Sequence, residues 1–466
     1  MANFFKENTK NQVSKQSKQL KQTNTVTIDR LDLNGCGVGR YNKKPIFVKG
    51  SLPNETVEIR IIEQKNKYIL AKLLNVKKPS EHRVIAQCKH FSLCGGCDLQ
   101  HLTYSEQLIF KQNKVRELLS RQDISRALVS ELPWQQSIKS NPWHYRRKAR
   151  IGVQFDKNAQ AIIGFRQKST NQLIAIKSCP VLVKPADTIF SILNELLAQL
   201  TIKKSIGHIE IIFADVIDDK ANNIMLVIRQ IRSINSYDRQ LWQQYAEKHR
   251  WSVQFLENKK ELEHTGDQTN TLASELNKSE LSYQLEGEID IHFSSTDFIQ
   301  VNQPVNMAMI EQAIDWLAPE ANDQILDLFC GLGNFSLPLS KRVAKVVGVE
   351  GVQTMVNKAQ ANAQLNNIDN CQFFQADLNS QWLSNSWAKN NFTKVLLDPA
   401  RAGAEKAVEQ VAELNVSTIL YVSCDPATLA VDSQLLLEKG YNIVKIGLID
   451  MFSQTKHVET MVLFKR

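Results

Sequence analysis

Three cysteines that could bind a metal lie close together in the segment CKHFSLCGGC. Cys88, Cys94 and Cys97 fall within ten residues of a chain that has eight cysteines in all. A closed thiolate site needs a fourth ligand, and Cys179 is the best candidate because it precedes Pro180, as final ligands in such sets often precede proline. Four thiolates suit zinc or a 4Fe–4S cluster. The C-x5-C-x2-C spacing is neither that of zinc ribbons nor that of radical enzymes, so it favours the 4Fe–4S cluster.

A glycine-containing loop after an apolar strand, DLFCGLGNF at 327–335, is typical of a nucleotide-cofactor site. Gly331 and Gly333 allow the backbone to turn tightly against a ligand at the carboxyl edge of a parallel sheet. The third glycine of a dinucleotide fingerprint is missing. Glu350, at the end of the next strand, could accept both ribose hydroxyls, and Asp377, after the following strand, could reach an adenine edge. The pattern therefore favours S-adenosylmethionine over NAD.

Two further strand ends carry side chains that could act on a substrate. In LLDPARAG, Asp398 could orient a substrate base or the amine of the cofactor, and capping of the next helix is the structural alternative. In YVSCDPATL, Cys424 stands alone at the tip of a strand. The last strand begins at Glu459 in HVETMVLF, from which its carboxylate could reach the same pocket.

A cysteine and a carboxylate in one pocket would suit methylation of a pyrimidine carbon. C5 of uracil is too weak a nucleophile to attack a sulfonium methyl group, but a thiolate that adds to C6 makes C5 enolate-like. A general base must then remove the C5 proton. From spacing alone this chemistry and a structural interpretation both remain open, the latter with Cys424 as a small buried residue and Glu459 as a surface residue.

The charge of the chain indicates a polyanionic partner. Its formal net charge is +9 and its isoelectric point is about 9.0. The run at 138–153 contains five cations and two interleaved aromatic residues: Lys139, Arg146, Arg147, Lys148 and Arg150, with Trp143 and Tyr145. Cations for phosphates and rings for base stacking favour contact with single-stranded RNA, and a solvated charged strand is the alternative.

Five motifs occur in one order along the chain: FIQVNQ at 298–303, DLFCGLGNF, LLDPARAG, YVSCDPATLA and HVETMVLF. Together they resemble the uracil-C5 RNA methyltransferases over nearly the whole chain. The resemblance implies that Cys424 is the nucleophile and Glu459 the general base. It also implies these contacts to S-adenosylmethionine: Gln300, Phe329, Asn334, Glu350 and Asp398. One departure is Val431, where relatives usually carry an arginine before the aspartate matched by Asp432. The resemblance therefore does not extend to a local ion pair there, and the implied chemistry is unaffected.

The chain resembles the branch of this family that has both an N-terminal TRAM barrel and a 4Fe–4S cluster. Members of that branch modify 23S ribosomal RNA, whereas the tRNA branch lacks both features. The cluster is expected to be structural, because methyl transfer of this kind needs no electron. Three alternatives are the same reaction on tRNA, a non-catalytic iron–sulfur RNA-binding assembly factor, and N- or O-methylation, which would not need the Cys424–Glu459 pair.

Changes in residue composition and in hydrophobic patterning along the chain predict four segments. They are a basic tail (1–23), a small all-β barrel of TRAM or OB type (24–83), a mixed α+β central domain with the cysteine cluster (84–295) and an α/β, Rossmann-like methyltransferase domain (296–466). In the last segment, alternating apolar strands and helices predict an open, mostly parallel sheet that ends in an antiparallel strand. The polar stretch 257–280 is predicted to be an exposed loop.

The sequence also favours a location and a set of partners. No apolar run approaches the roughly 18 residues of a membrane span, and the N-terminus lacks the features of a secretory signal. We therefore expect a cytoplasmic monomer with reduced thiols that binds RNA and neither DNA nor a membrane.

Overall fold

The computed structural model describes residues 23–122, 124, 126–215, 223–256, 274–276 and 281–466. These residues form two compact units. The first comprises residues 23–91, 97–114 and 454–456, and the second comprises the described part of 92–96, 115–453 and 457–466. The predicted basic tail lies, except for its last residue, outside the described residues, as does most of the predicted loop at 257–280.

Five strands in the first unit form a closed barrel in the order β1-β2-β3-β5-β4, which confirms the predicted all-β barrel. The strands are β1 (Thr23–Leu31), β2 (Cys36–Tyr41), β3 (Lys44–Lys49), β4 (Thr56–Gln64) and β5 (Ile69–Lys78). Alternation builds its core: Val57, Ile59 and Ile61 of β4 are buried while the residues between them are not. Glycine is required at Gly39, because a Cβ there would lie 2.2 Å from the carbonyl oxygen of Thr27.

A seven-stranded sheet follows in the second unit, in the order β12-β11-β10-β9-β6-β7-β8. Its strands are β6 (Lys148–Phe155), β7 (Ala161–Arg166), β8 (Leu173–Ala175), β9 (Ile206–Phe213), β10 (Ile224–Gln230), β11 (Trp251–Leu256) and β12 (Ser274–Leu276). The helices between the barrel and β13 are α1 (Tyr104–Leu119), α2 (Arg126–Ser130), α3 (Ala186–Gln199) and α4 (Ser236–His249), and residues 104–114 of α1 belong to the first unit. The prediction of an exposed loop at 257–280 was wrong for residues 274–276, which form β12. Its backbone pairs with that of β11 in antiparallel register at the edge of the sheet.

A hairpin of β13 (Leu281–Leu285) and β14 (Ile289–Phe293) leads into a third sheet, in the order β17-β16-β15-β18-β19-β21-β20. Its strands are β15 (Gln324–Leu328), β16 (Lys345–Glu350), β17 (Cys371–Gln375), β18 (Lys394–Leu397), β19 (Thr418–Ser423), β20 (Asn442–Ile449) and β21 (Glu459–Lys465). The helices are α5 (Gln303–Leu317), α6 (Ser336–Ser340), α7 (Gln353–Leu365), α8 (Glu405–Glu413) and α9 (Pro426–Glu438).

The strand directions in this third sheet confirm the predicted α/β architecture. Strands β15 to β19 are parallel, so their carboxyl ends meet at one edge. The final strand, β21, is antiparallel to both of its neighbours, β19 and β20. Within the described part of the chain, no helix combines the length and the apolar character needed to cross a membrane.

Candidate active site

The residues predicted to act on cofactor or substrate gather at the carboxyl edge of the third sheet. Each follows or ends a parallel strand: Phe329 after β15, Glu350 at the end of β16, Asp377 after β17, Asp398 after β18 and Cys424 after β19. The register aligns these ends, since Leu328 pairs with both Val349 and Leu397, and Leu397 pairs with Tyr421. The predicted placement of these side chains on one edge is therefore confirmed.

The glycine loop between β15 and α6 is held in an unusual backbone conformation. Phe329 has a φ of +65°, which is strained for a residue with a side chain, and Gly331 and Gly333 have φ values of +55° and +93°. The carboxylate of Glu350 accepts the Gly331 N–H at 3.3 Å and the Val352 N–H at 3.2 Å. A Cβ at Gly331 would meet no atom within 4 Å, so the loop borders open space at this point.

Gln300, just before α5, has a side chain whose hydrogen bonding is incomplete. Its Oε1 is buried and has no hydrogen-bond partner among the residues that the structure describes. Its backbone carbonyl accepts the Nε of Arg147 at 2.9 Å, which fixes the residue in place. Buried acceptors are almost always hydrogen-bonded, so a donor such as the amine of a bound nucleoside cofactor would complete this one. Together with the open space at Gly331, this fits S-adenosylmethionine.

Asn334 is bound to the protein itself. It exchanges two hydrogen bonds with the amide of Asn306, at 3.0 and 3.1 Å, and accepts the hydroxyl of Tyr283 at 3.1 Å. These contacts brace the glycine loop against α5 and the β13–β14 hairpin. Sequence patterns did not identify Asn306 and Tyr283, because neither stands in one of the five motifs.

Cys424 and Glu459 face each other across β19 and β21. Ser423 of β19 pairs with Thr460 of β21 in antiparallel register. Cys424 follows Ser423 and Glu459 precedes Thr460, so this register places Cys424 and Glu459 side by side. Glu459 is 6% exposed, so the alternative of a surface residue is wrong. Cys424 is partly exposed, and its thiol lies 3.9 Å from the carbonyl oxygen of Pro399.

The surroundings of Cys424 disfavour its ionised form in the absence of substrate. Burial, followed by the charges of Glu459 and Asp398, raises the pKa of Cys424 to about 11. Burial raises the pKa of Asp398 to about 7, so this carboxyl can be neutral or charged near neutral pH. Asp398 does not cap the next helix, since α8 begins at Glu405 with Ala404 as its N-cap residue.

The raised pKa predicts how Cys424 reacts with iodoacetamide. Only the thiolate is alkylated, so the rate should rise roughly tenfold per pH unit below the pKa of about 11. Glu459→Gln removes a negative charge, which lowers the pKa of Cys424 and speeds alkylation at any fixed pH in that range. Peptide mass spectrometry would follow Cys424, with Cys36 in the barrel as an internal control. An unchanged rate at Cys424 in the variant would contradict the proximity of the two groups.

Asp432 is satisfied without an arginine beside it. It is buried, and it accepts the backbone N–H of Ala404 at 2.9 Å and the hydroxyl of Tyr421. Val431 is exposed on α9. Asp432 therefore holds Ala404, in the segment after Asp398, without the help of an arginine at position 431.

Two cations of the basic run at 138–153, Arg147 and Lys148, contact the protein's own backbone. Arg147 is 4% exposed, and the Nζ of Lys148 donates to the carbonyl oxygens of Ser295 and Asp297 at 3.0 and 2.7 Å. The Nε of Arg147 and the Nζ of Lys148 thus bond the protein's own backbone, and contact of these two cations with phosphate stays a prediction. Arg150 is exposed although it pairs with Glu210.

None of the four cysteines of the predicted cluster forms a disulfide within the described chain. Cys94 forms a β-bridge with Gln167, and its sulfur accepts the Gly96 N–H at 3.4 Å, a hydrogen bond that suits a thiolate ligand. In the part of the chain that the structure describes, no three Cys, His, Asp or Glu side chains are grouped in an arrangement that could hold a metal ion. Cys330 and Cys371 are buried, and Cys36 is half-buried.

Comparison with known proteins identifies relatives of the whole chain. Residues 103–466 match the family described as tRNA (Uracil-5-)-methyltransferase, and residues 18–74 match the TRAM domain. A protein of Colwellia psychrerythraea, named 23S rRNA (uracil(1939)-C(5))-methyltransferase RlmD, is 56% identical over 100% of this chain and 99% of its own length. One of Aliivibrio salmonicida with the same name is 42% identical over the full length of both chains.

A solved structure shows the same fold. The tRNA (uracil-54, C5)-methyltransferase of Pyrococcus abyssi, in complex with S-adenosyl-L-homocysteine, aligns with a TM-score of 0.72 over 94% of this chain and 99% of that one. Its sequence identity is 23%, so the likeness concerns the arrangement of the strands and helices.

Proposed function

This chain belongs to the tRNA (uracil-5-)-methyltransferase family, and we propose that it transfers a methyl group from S-adenosyl-L-methionine to C5 of a uridine in 23S ribosomal RNA. The observation that carries the chemistry is the side-by-side placement of Cys424 and Glu459 at the sheet edge that also holds the glycine loop. The choice of 23S ribosomal RNA rests on the full-length relatives of that name and on the barrel, which matches the TRAM domain.

Cys424 begins the reaction as its thiolate. The sulfur adds to C6 of the uracil, and the electron pair of the C5–C6 double bond moves onto C5 and O4 as an enolate. Bound S-adenosylmethionine supplies the electrophilic methyl group that C5 then takes up. The partial exposure of Cys424 leaves its sulfur accessible to a base that has been flipped out of the RNA.

Glu459 completes the reaction. Its carboxylate takes the proton from C5, the C5–C6 double bond re-forms, and the sulfur of Cys424 leaves C6 as a thiolate. Asp398, whose pKa burial raises to about 7, can accept a hydrogen bond in its charged form or donate one in its neutral form. We assign it the orientation of the uracil or of the methionyl amine. The further cofactor contacts that we propose are Gln300, Phe329, Asn334, Glu350 and Asp377.

Product mapping tests the substrate. The protein is incubated with methyl-labelled S-adenosylmethionine and, in parallel, with unmodified 23S ribosomal RNA and transfer RNA, and the labelled nucleotide is identified by nuclease digestion and mass spectrometry. We expect 5-methyluridine in 23S ribosomal RNA. Label confined to transfer RNA would instead support the transfer-RNA alternative, and label on a nitrogen or oxygen atom would contradict the proposed chemistry.

We also propose that Cys88, Cys94, Cys97 and Cys179 bind a 4Fe–4S cluster with a structural role. The proposal rests on the sequence spacing of the four cysteines, on their lying outside any disulfide of the described chain and on the N–H bond to the Cys94 sulfur. The four side chains are not grouped as a metal site in the described structure. No step of the methyl transfer passes through the cluster. Its role would be to stabilise the fold around its four ligands.

Metal analysis tests the cluster. Anaerobically purified protein should contain iron and acid-labile sulfide in equal amounts, and Cys97→Ser should lose most of both because a ligand is missing. Cys36→Ser is the matched control, since Cys36 lies in the barrel sheet outside the ligand set. Zinc without sulfide in the purified protein, or unchanged iron in Cys97→Ser, would contradict the assignment.

A further inference from the structure

A buried arginine is linked to two of the proposed cofactor contacts, Gln300 and Asn334. Arg147 directly precedes β6 in the second unit and is almost fully buried. Its Nε donates to the backbone carbonyl of Gln300 at 2.9 Å, whereas its Nη1 and Nη2 have no hydrogen-bond partner among the described residues. Within the described chain, the hydrogen bond of this guanidinium therefore goes to a residue that we assign to the cofactor site.

The backbone of Arg147 holds the same segment. Its N–H donates to the carbonyl oxygen of Val301 at 2.9 Å, and its own carbonyl oxygen accepts the N–H of Phe213, in β9, at 2.8 Å. The segment at 300–301 is thus attached to position 147 by one side-chain bond and one main-chain bond. Because the main-chain bonds do not depend on the side chain, a substitution of Arg147 can release Gln300 while the segment keeps its place in the fold.

The face of the guanidinium connects Arg147 to the glycine loop. Its central carbon lies 4.7 Å from the ring centroid of Tyr283, a buried residue of β13. A cation in this position is attracted to the π face of the ring. The hydroxyl of Tyr283 donates to Oδ1 of Asn334 at 3.1 Å, and Asn334 belongs to the loop between β15 and α6. The ring and its hydroxyl move together, so the position of Asn334 depends on Arg147.

Asp215 balances the charge of Arg147, with its Oδ1 3.8 Å from Nη1. Burial lowers the pKa of Arg147, and the charge of Asp215 opposes this effect. Desolvation makes a buried ion pair costly, and packed apolar residues are often at least as stable. Filling space would therefore not require arginine here. Donating from Nε while covering a ring with a planar cation does require it, since neither lysine nor methionine can do both.

We propose that Arg147 is a positioning residue of the cofactor site, which fixes Gln300 and Asn334 relative to each other so that both meet S-adenosylmethionine. The proposal rests on the proposed function in one respect, the binding of this cofactor. Arg147 acts through the two residues and does not itself contact the cofactor. Without its side chain, the cofactor has to order the two contacts as it binds, which weakens binding. Once the cofactor is bound, the reaction at Cys424 and Glu459 proceeds as before.

Arg147→Lys tests this role by calorimetric titration of the full-length protein with S-adenosylmethionine alone. Lysine keeps a positive charge beside Asp215 but has no N–H at the Nε position and no planar group to cover Tyr283. The Kd should rise about tenfold, as expected for the loss of one charge-assisted hydrogen bond. In RNA methylation the KM for S-adenosylmethionine should rise by the same factor, whereas kcat should stay within about twofold. A role in folding alone would lower kcat through the active fraction and leave Kd and KM unchanged.

Tyr283→Phe tests the second link, because it keeps the ring beside Arg147 and removes only the hydroxyl bond to Asn334. Its Kd for S-adenosylmethionine should rise about fivefold. Adding Arg147→Lys to this variant should raise the Kd by clearly less than about tenfold, since one of the two connections is already broken. A double variant whose Kd rose by the product of the two single factors would overturn the link through Tyr283.

Arg239→Lys is the matched control. Arg239, on α4, also lies over a buried ring, 5.5 Å from the centroid of Phe255 in β11, so it repeats the cation–ring contact away from the cofactor segment. Its Kd for S-adenosylmethionine should equal that of the unmodified protein. An unchanged Kd in both Arg147→Lys and Tyr283→Phe, in a protein that methylates 23S ribosomal RNA, would overturn the positioning role and leave the proposed function standing. A raised Kd in a protein that methylates no RNA would support the positioning role and overturn the proposed function.

Discussion

Cys424→Ala should lower the rate of RNA methylation by at least about a thousandfold, because without a sulfur to add at C6 the C5 atom stays too weakly nucleophilic to accept the methyl group. Binding of S-adenosylmethionine should be unchanged, since the glycine loop and Glu350 do not depend on the thiol. Methyl incorporation from labelled cofactor measures the first effect, and calorimetric titration measures the second.

Cys36→Ala is the matched control for this loss. Burial raises the pKa of Cys36 to about 11, as it does for Cys424, so the two thiols are equally poor nucleophiles by ionisation alone. Only position distinguishes them, and Cys36→Ala should retain full activity. If Cys424→Ser turned over at the rate of the unmodified protein, the addition of sulfur to the ring would be ruled out.

Glu459→Gln should slow turnover by about 10²–10⁴-fold and should accumulate a covalent protein–RNA species. Glutamine keeps the shape of the side chain but cannot take the C5 proton. Methyl transfer then leaves a methylated base that remains bonded to Cys424 through C6. A denaturing gel with end-labelled RNA would show the adduct as a band of reduced mobility.

Two variants sharpen this second test. Glu438→Gln, at the exposed end of α9, should form no lasting adduct, since it leaves the general base in place. The double variant Cys424→Ala with Glu459→Gln should also form none. An adduct in the double variant would place the bond on another residue, and a single variant that turned over normally would show that Glu459 is not the base.

Replacement of Glu459 should change the alkylation rate of Cys424 and the release rate of the RNA product in opposite directions. This difference distinguishes a general base from a side chain that only supports the fold. The replacement should raise the alkylation rate of free Cys424, because a negative charge beside the thiol is removed. The same replacement should slow release of the RNA product, because the C5 proton stays in place. A side chain that merely supported the fold would not be expected to move the two rates in opposite directions.

The sequence by itself determined which residues stand at strand ends. Apolar runs such as QILDL and TILYVS are short, local signals, and the residues after them reach one edge wherever the strands are parallel. That rule is enough to place Phe329, Asp398 and Cys424 at one edge of the sheet. The alternation in β4 likewise predicts a barrel strand, since the period of two depends on neighbouring residues alone.

Only the tertiary structure decided what lies beside those residues. Glu459 reaches Cys424 because β21 inserts between β19 and β20, a strand order that no spacing in the chain specifies. Arg147 looks like its neighbours in a basic run, yet packing buries it, and Asp215 and Gln303 come to it from distant segments. The physical reason is that strand ends follow from local periodicity, whereas burial and the partners of a side chain depend on how remote segments pack together.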